Sequence, residues 1–190
     1  MKKILAVIVC LLMVITLAGC GAKTTGGKTS NNTKQAKEKI NGNCTVFECI
    51  KTLEITDTLD QVNEKMGFEG KKDKEEDTYS IYTWEVTKDS KVEIQFFSSG
   101  KSDIKIEFDK DKIANDKLDL SKFDEMKAMI QKGEMTLDKF SEMVGNVDGT
   151  LVEKSSFSNK YLWYKSSSNY LYGTFSTSSN KCTFVSGLRQ

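Results

Sequence analysis

The chain has 190 residues, enough for one or two small domains, with 28 Lys+Arg against 27 Asp+Glu and a net charge of +1. So even a balance speaks against a polybasic nucleic-acid binder and against an acidic tail protein. There is no His and no Pro, which excludes His general bases, His-ligated zinc or haem and Ser-His-Asp triads, and leaves no turn relying on a fixed φ.

The N-terminus carries the clearest signal. Lys2 and Lys3 form a positive n-region, and Ile4–Ile15 is an unbroken apolar run, too short for a spanning helix and right for a signal h-region. Leu17-Ala18-Gly19-Cys20 follows and resembles the lipobox of bacterial lipoproteins. The resemblance implies that residues 1–19 are a signal peptide that is removed. It also implies that Cys20 becomes the acylated first residue, holding the chain at the extracytoplasmic face of the cell membrane. Residues 20–43 are Gly, Lys, Thr, Ser, Asn and Gln with almost no large apolar side chain before Ile40. Such a segment cannot offset its ordering entropy by burial, and is expected to be a flexible tether reaching roughly 25 Å. Within it, Ala22–Thr29 satisfies a relaxed phosphate-loop pattern. The flanking strand and helix such a loop needs are missing from the pattern, so no nucleotide is expected.

Cys10 leaves with the signal peptide, which leaves Cys44, Cys49 and Cys182 beside Cys20. At most one internal disulfide can form. A Cys44–Cys182 bridge would tie the first element to the last strand, and three buried or free thiols are the alternative. Three Cys without His make a poor metal site, so neither metal nor cofactor is expected.

Self-similarity organises the rest. Thr58-Leu59-Asp60 recurs as Thr136-Leu137-Asp138, Gly67 as Gly145, Tyr82-x-Trp84 as Tyr161-x-Trp163, and Phe96 as Phe175. Residues 44–110 and 121–190 are expected to be two copies joined by a linker, 111–120. Each copy reads as two short helices followed by a meander of strands, an α+β fold. Thr45/Glu48 and Thr58/Gln61 are capping boxes that start the first two helices, and Gly67 is placed as a C-cap. Phe123, Met126, Met129 and Ile130, then Leu137, Phe140 and Val144, mark the second pair. Strands are predicted near Tyr79–Val86, Lys91–Phe97 and Asp103–Phe108, and near Lys160–Tyr164, Tyr170–Phe175 and Cys182–Leu188. Thr150–Lys154 reads as an extra edge strand. The charge run Lys71–Asp77 reads as a solvated loop. Asp109, Asp111, Asp116 and Asp119 lack the Gly and terminal Glu of a calcium loop.

Tandem helix-turn-helix-plus-meander units with a Thr-Leu-Asp second helix and a central Tyr-x-Trp strand resemble β-lactamase inhibitor protein and related lipoproteins of Gram-positive bacteria. One copy is also similar to the small lipoprotein of the outer-membrane assembly machine. The resemblance implies a fold in which helices cover one face of the sheet and leave the other open. It assigns no inhibitory residue to this chain, because fold alone does not fix activity.

Alternation assigns the strand faces. In the first copy Tyr82, Trp84, Val92, Ile94, Phe96, Ile104, Ile106 and Phe108 are expected in the core, opposite a charged face. In the second, Tyr161, Trp163, Leu171, Phe175, Phe184 and Leu188 are expected inside. That leaves Leu162, Tyr164, Tyr170, Tyr172, Thr174, Thr183 and Val185 on a face without a carboxylate. Leu162, Tyr164, Tyr170 and Tyr172 are the candidate partner-binding patch, since tyrosines suit recognition. Packing of the first copy on that face is the alternative. The expectation is a lipid-anchored module binding a protein or cell-wall component, with no nucleic acid and no nucleotide. Inhibition of a secreted or cell-wall enzyme, such as a β-lactamase or transpeptidase, is the second reading. An enzyme is not expected, because no thiol has a His partner to activate it.

Overall fold

Three of the four α-helices among the described residues start at a threonine hydroxyl. In the computed structural model, which describes residues 40–189, Thr45 accepts a hydrogen bond from the Glu48 amide, and Glu48 accepts one from the Thr45 amide at 2.9 Å. That reciprocal pair opens α1, Val46–Thr52. Thr58 and Gln61 repeat it at α2, Leu59–Met66, which Gly67 ends in the left-handed region at φ 81°. Thr136 accepts from the Lys139 amide at the start of α4, Leu137–Met143, whereas α3, Phe123–Gln131, starts without a side-chain cap. Both predicted capping boxes and the Gly67 cap are present.

The cysteines pair within the first element. Cys44 and Cys49 form a disulfide with Cα atoms 5.6 Å apart. The considered Cys44–Cys182 bridge is not formed, because Cys182 is a buried free thiol packed in a different hydrophobic cluster.

Among the described residues, eight antiparallel strands follow one another in chain order as a single meander: β1 Lys71–Glu76, β2 Tyr79–Thr87, β3 Ser90–Phe97, β4 Ser102–Glu107, β5 Thr150–Lys154, β6 Ser158–Ser166, β7 Asn169–Ser176 and β8 Cys182–Leu188. The fold is thus α+β. Two expectations are corrected here. The charge run is not a loop but β1, an edge strand exposed along its whole length. Its alternating Lys, Asp and Glu side chains keep that edge soluble while the backbone pairs with β2. And β5 is not an edge strand. It joins the two halves of the sheet, pairing with β6 and, through Ile104↔Lys154 and Lys105↔Glu153, with β4.

Two hydrophobic clusters lie under the helices. The first collects Val46, Ile50, Leu53, Val62, Met66, Trp84, Val92, Ile94, Ile104 and Ile106. The second collects Phe123, Met126, Met135, Phe140, Val144, Trp163, Leu171, Phe175 and Cys182. Both indoles are buried, and their surroundings recur. Trp84 donates to the Phe68 carbonyl and the Asn63 side chain, and Trp163 to the Val147 carbonyl at 2.8 Å. Tyr82 lies beside the first ring and meets Phe96 edge-on, as Tyr161 lies beside the second and meets Phe175 edge-on. Gly70 and Gly149 each lie against their indole so closely that a Cβ would overlap it.

On β8 the predicted faces are reversed. Phe184 and Leu188, expected in the core, are 59% and 49% exposed. Val185, expected outside, packs against the second cluster. The cause is a register shift opposite Thr174 and Phe175. Cys182 faces Phe175, but two residues later Phe184 faces Thr174 on the open side. One extra residue in a strand moves every following side chain to the other face.

Candidate functional site

Cys20, the segment 1–19, the Ala22–Thr29 pattern and all of the 20–43 segment before Ile40 lie outside the described residues. Among the described residues, no helix is long and apolar enough to cross a membrane. None of their Cys, Asp and Glu side chains gather as a group that could hold a metal ion.

The candidate patch on β6 and β7 comes together, but half of it is interior. Leu162 pairs with Tyr172 and Tyr164 with Tyr170, so the four side chains do share one face. The rings of Tyr164 and Tyr170 lie 6.4 Å apart, and those of Tyr170 and Tyr172 5.8 Å apart. Leu162, however, is 1% exposed and Tyr164 7% exposed. Their expected exposure is therefore corrected, and they belong to the first hydrophobic cluster, with the side chains of β4.

The reason is where β4 goes after it leaves β5. Beyond the two paired residues, Ile106, Phe108 and the short 3-10 turn Lys110–Ile113 swing onto the open face of β6. The Tyr164 hydroxyl donates to Asp111 Oδ1 at 3.0 Å, and the Asn115 amide donates to the Tyr164 carbonyl at 3.0 Å. Ile113 packs against the same cluster. The linker is thus a strap that covers part of the face it was expected to leave free. Tyr164 meets it with both an apolar ring and a satisfied hydroxyl, as a buried tyrosine must.

What remains open is a groove of about 360 Å³ between the strap and the sheet. Its floor is Ile106, Phe108, Val152, Leu162 and Tyr172; its rim is Lys105, Glu107, Lys110, Glu153 and Lys160. Register explains the rim. Lys105, Glu153, Lys160 and Thr174 are successive cross-strand neighbours on one row through β4, β5, β6 and β7. Two cations address the same ring, Lys160 at 5.6 Å and Lys110 at 5.7 Å from the Tyr172 centroid, and Lys110 is equally near Tyr170. Lys105 contacts Glu107 at 2.9 Å, and Lys160 contacts Glu153 at 3.4 Å. The hydrogen bond to Glu107 holds the Lys105 ammonium above its ordinary pKa, and the same bond holds the Glu107 carboxyl below its own.

Chemically, the groove offers an aromatic face, an apolar floor and ammonium groups that can exchange a protein carboxylate for one on a ligand. Lys110, Glu153 and Lys160 were not among the residues singled out from the sequence, and Lys105 belonged there only to the charged face of the first copy. The only signal for them was the register across β5, which alternation within single strands does not contain. A second groove of about 440 Å³, more apolar, lies where the described chain begins, between Ile40, Val46, Phe47, Val86 and Phe108.

Comparison of the chain with protein-family models, with curated proteins and with solved structures found no match.

Proposed function

We propose that this chain is a lipoprotein anchored through Cys20 at the extracytoplasmic face of a bacterial membrane. On this reading residues 44–110 and 121–190 are two tandem copies of one α+β unit, similar to β-lactamase inhibitor protein. The recurrence of the Trp84 and Trp163 surroundings, from glycine contact to carbonyl acceptor, supports the duplication. The module binds a protein or cell-wall partner, and Tyr172 is the contact at its centre. The observation that carries this is the open groove in which Lys110 and Lys160 both lie against Tyr172. Leu162 forms its floor. Tyr164 supports it from behind by holding the strap, and Tyr170 lies beside Tyr172 near the same Lys110.

A photo-crosslinking residue in place of Tyr172, in intact cells, tests the reading against the same residue placed at Asp73 on β1. A discrete product from the Tyr172 position alone is expected, and Lys110→Ala should reduce it several-fold. Identical products from both positions, or none from the groove, would remove the groove as the binding site.

A further inference from the structure

The two edges of the sheet are treated differently. β1 carries Lys71, Lys72, Asp73, Lys74, Glu75 and Glu76, all exposed, with Lys71–Asp73, Lys72–Glu75 and Lys74–Glu76 ion pairs along it. Charged side chains on an edge oppose pairing with another chain. β8, at the opposite edge, has no charged residue between Cys182 and Leu188. At its start the Cys182 amide donates to the Met135 carbonyl and Lys181 bridges to Thr136, and just past its end Arg189 pairs with Asp124 of α3. Among the described residues no segment pairs with the outer edge from Thr183 to Leu188. The same stretch exposes Phe184 and Leu188, two of the four large apolar side chains that stand out at the surface of the described residues. An uncharged edge with apolar side chains is a template for a further strand.

The order of residues says which strand fits. Phe184, Ser186 and Leu188 lie on the open face, opposite Thr174, Tyr172 and Tyr170. Val185 and Gly187 lie on the helix-covered face, opposite Gly173 and Leu171. An antiparallel copy of β8 centred on Ser186 sets Phe184 against Leu188 of the second copy, and Val185 against Gly187. Phe184 then meets Leu188, and Val185 the small Gly187, each twice, around a two-fold axis. The register uses no charge and closes on itself, whereas pairing β8 with β1 would run on as an open filament and would set apolar residues against charges.

We propose that a second copy of this chain is the occupant of the β8 edge, and that the protein is a two-fold dimer whose sheets join through an antiparallel β8–β8 contact centred on Ser186. This inference does not depend on the groove around Tyr172, which opens on the face of the sheet between β4 and β7. The contact is small beside ordinary stable interfaces, so the dimer is concentration-dependent and is favoured where chains share one surface.

The test uses full-length chains in intact cells under mild oxidation, so that its outcome does not turn on anchoring at Cys20. Ser186→Cys should give a disulfide-linked dimer, since residues opposite one another on antiparallel strands are within disulfide reach. Ser178→Cys, in the turn before β8, and the parent chain should give at least tenfold less. Register is read separately: Phe184→Cys chains should link to Leu188→Cys chains when co-expressed, and not to themselves. Adding Leu188→Lys to Ser186→Cys should cut the cross-link at least tenfold. Because Leu188 is half exposed, its melting curve should stay that of the parent. Absence of the Ser186→Cys dimer, equal linking at Ser178→Cys, or self-linking of Phe184→Cys chains overturns the proposal, the last by assigning a different register.

Discussion

Gly149 offers the sharpest probe of how the second core is packed. A Cβ added there would lie 2.6 Å from Trp163 Cζ2, 2.7 Å from Cε2 and 2.9 Å from Cη2. The indole cannot yield. Its Nε1 is tied to the Val147 carbonyl at 2.8 Å, and its face is stacked on Phe140 at 4.2 Å between centroids. Gly149→Ala should therefore destabilise the protein by about 1–3 kcal/mol through overpacking. Reduced freedom of the unfolded chain offsets that by about 0.4–1 kcal/mol. In a chain of this size each kcal/mol lost lowers Tm by about 2–4 °C. The cause is separable from a general glycine effect. Trp163→Phe removes the ring atoms the new methyl meets, so Gly149→Ala should cost less in that background, by about 0.5–3 kcal/mol of coupling in a double-mutant cycle. Thermal and urea unfolding of the four proteins measure it. A neutral Gly149→Ala, or the same cost in both backgrounds, would refute the close approach of backbone to indole.

Two further outcomes test the interior. Leu162→Ala should cost about 2–5 kcal/mol because the side chain is only 1% exposed; a loss under about 0.5 kcal/mol in urea unfolding would mean the strap does not cover it. Burial pushes the Cys182 thiol from 9.0 to about 11. A thiol raised in the folded state gives up its proton first in the unfolded chain, so its contribution is complete below about pH 9 and is lost as pH rises toward 11. The stability of the parent should therefore fall more steeply between those values than that of Cys182→Ser, and parallel curves would show the thiol to be solvated.

Much of the architecture was legible because it is local. Thr45 with Glu48 and Thr58 with Gln61 write their own helix starts, since a capping box is satisfied within one turn. The same holds for Tyr82 and Trp84, whose spacing by two puts them on one face of whatever strand contains them. The charge run of β1 was misread because its pairing depends on β2 and its composition on solvent, so nothing in the six side chains themselves favours a strand. The Cys44–Cys49 bridge was not among the arrangements read from the sequence, because spacing does not decide geometry.

The site was legible in membership and not in exposure. Alternation alone determined that Leu162, Tyr164, Tyr170 and Tyr172 share one face, because the period of a strand is two. Tertiary structure alone decided that Leu162 and Tyr164 are covered, that Tyr172 is open, and that Lys110 and Lys160 stand beside it. Those outcomes follow from where β4 departs from β5 and carries the Lys110–Ile113 turn across the sheet. The exposure of Phe184 and Leu188 follows instead from the single extra residue that inverts β8. Both are relations between strands, and a pattern read within one strand carries no information about the register a neighbour takes or about what another strand lays over it.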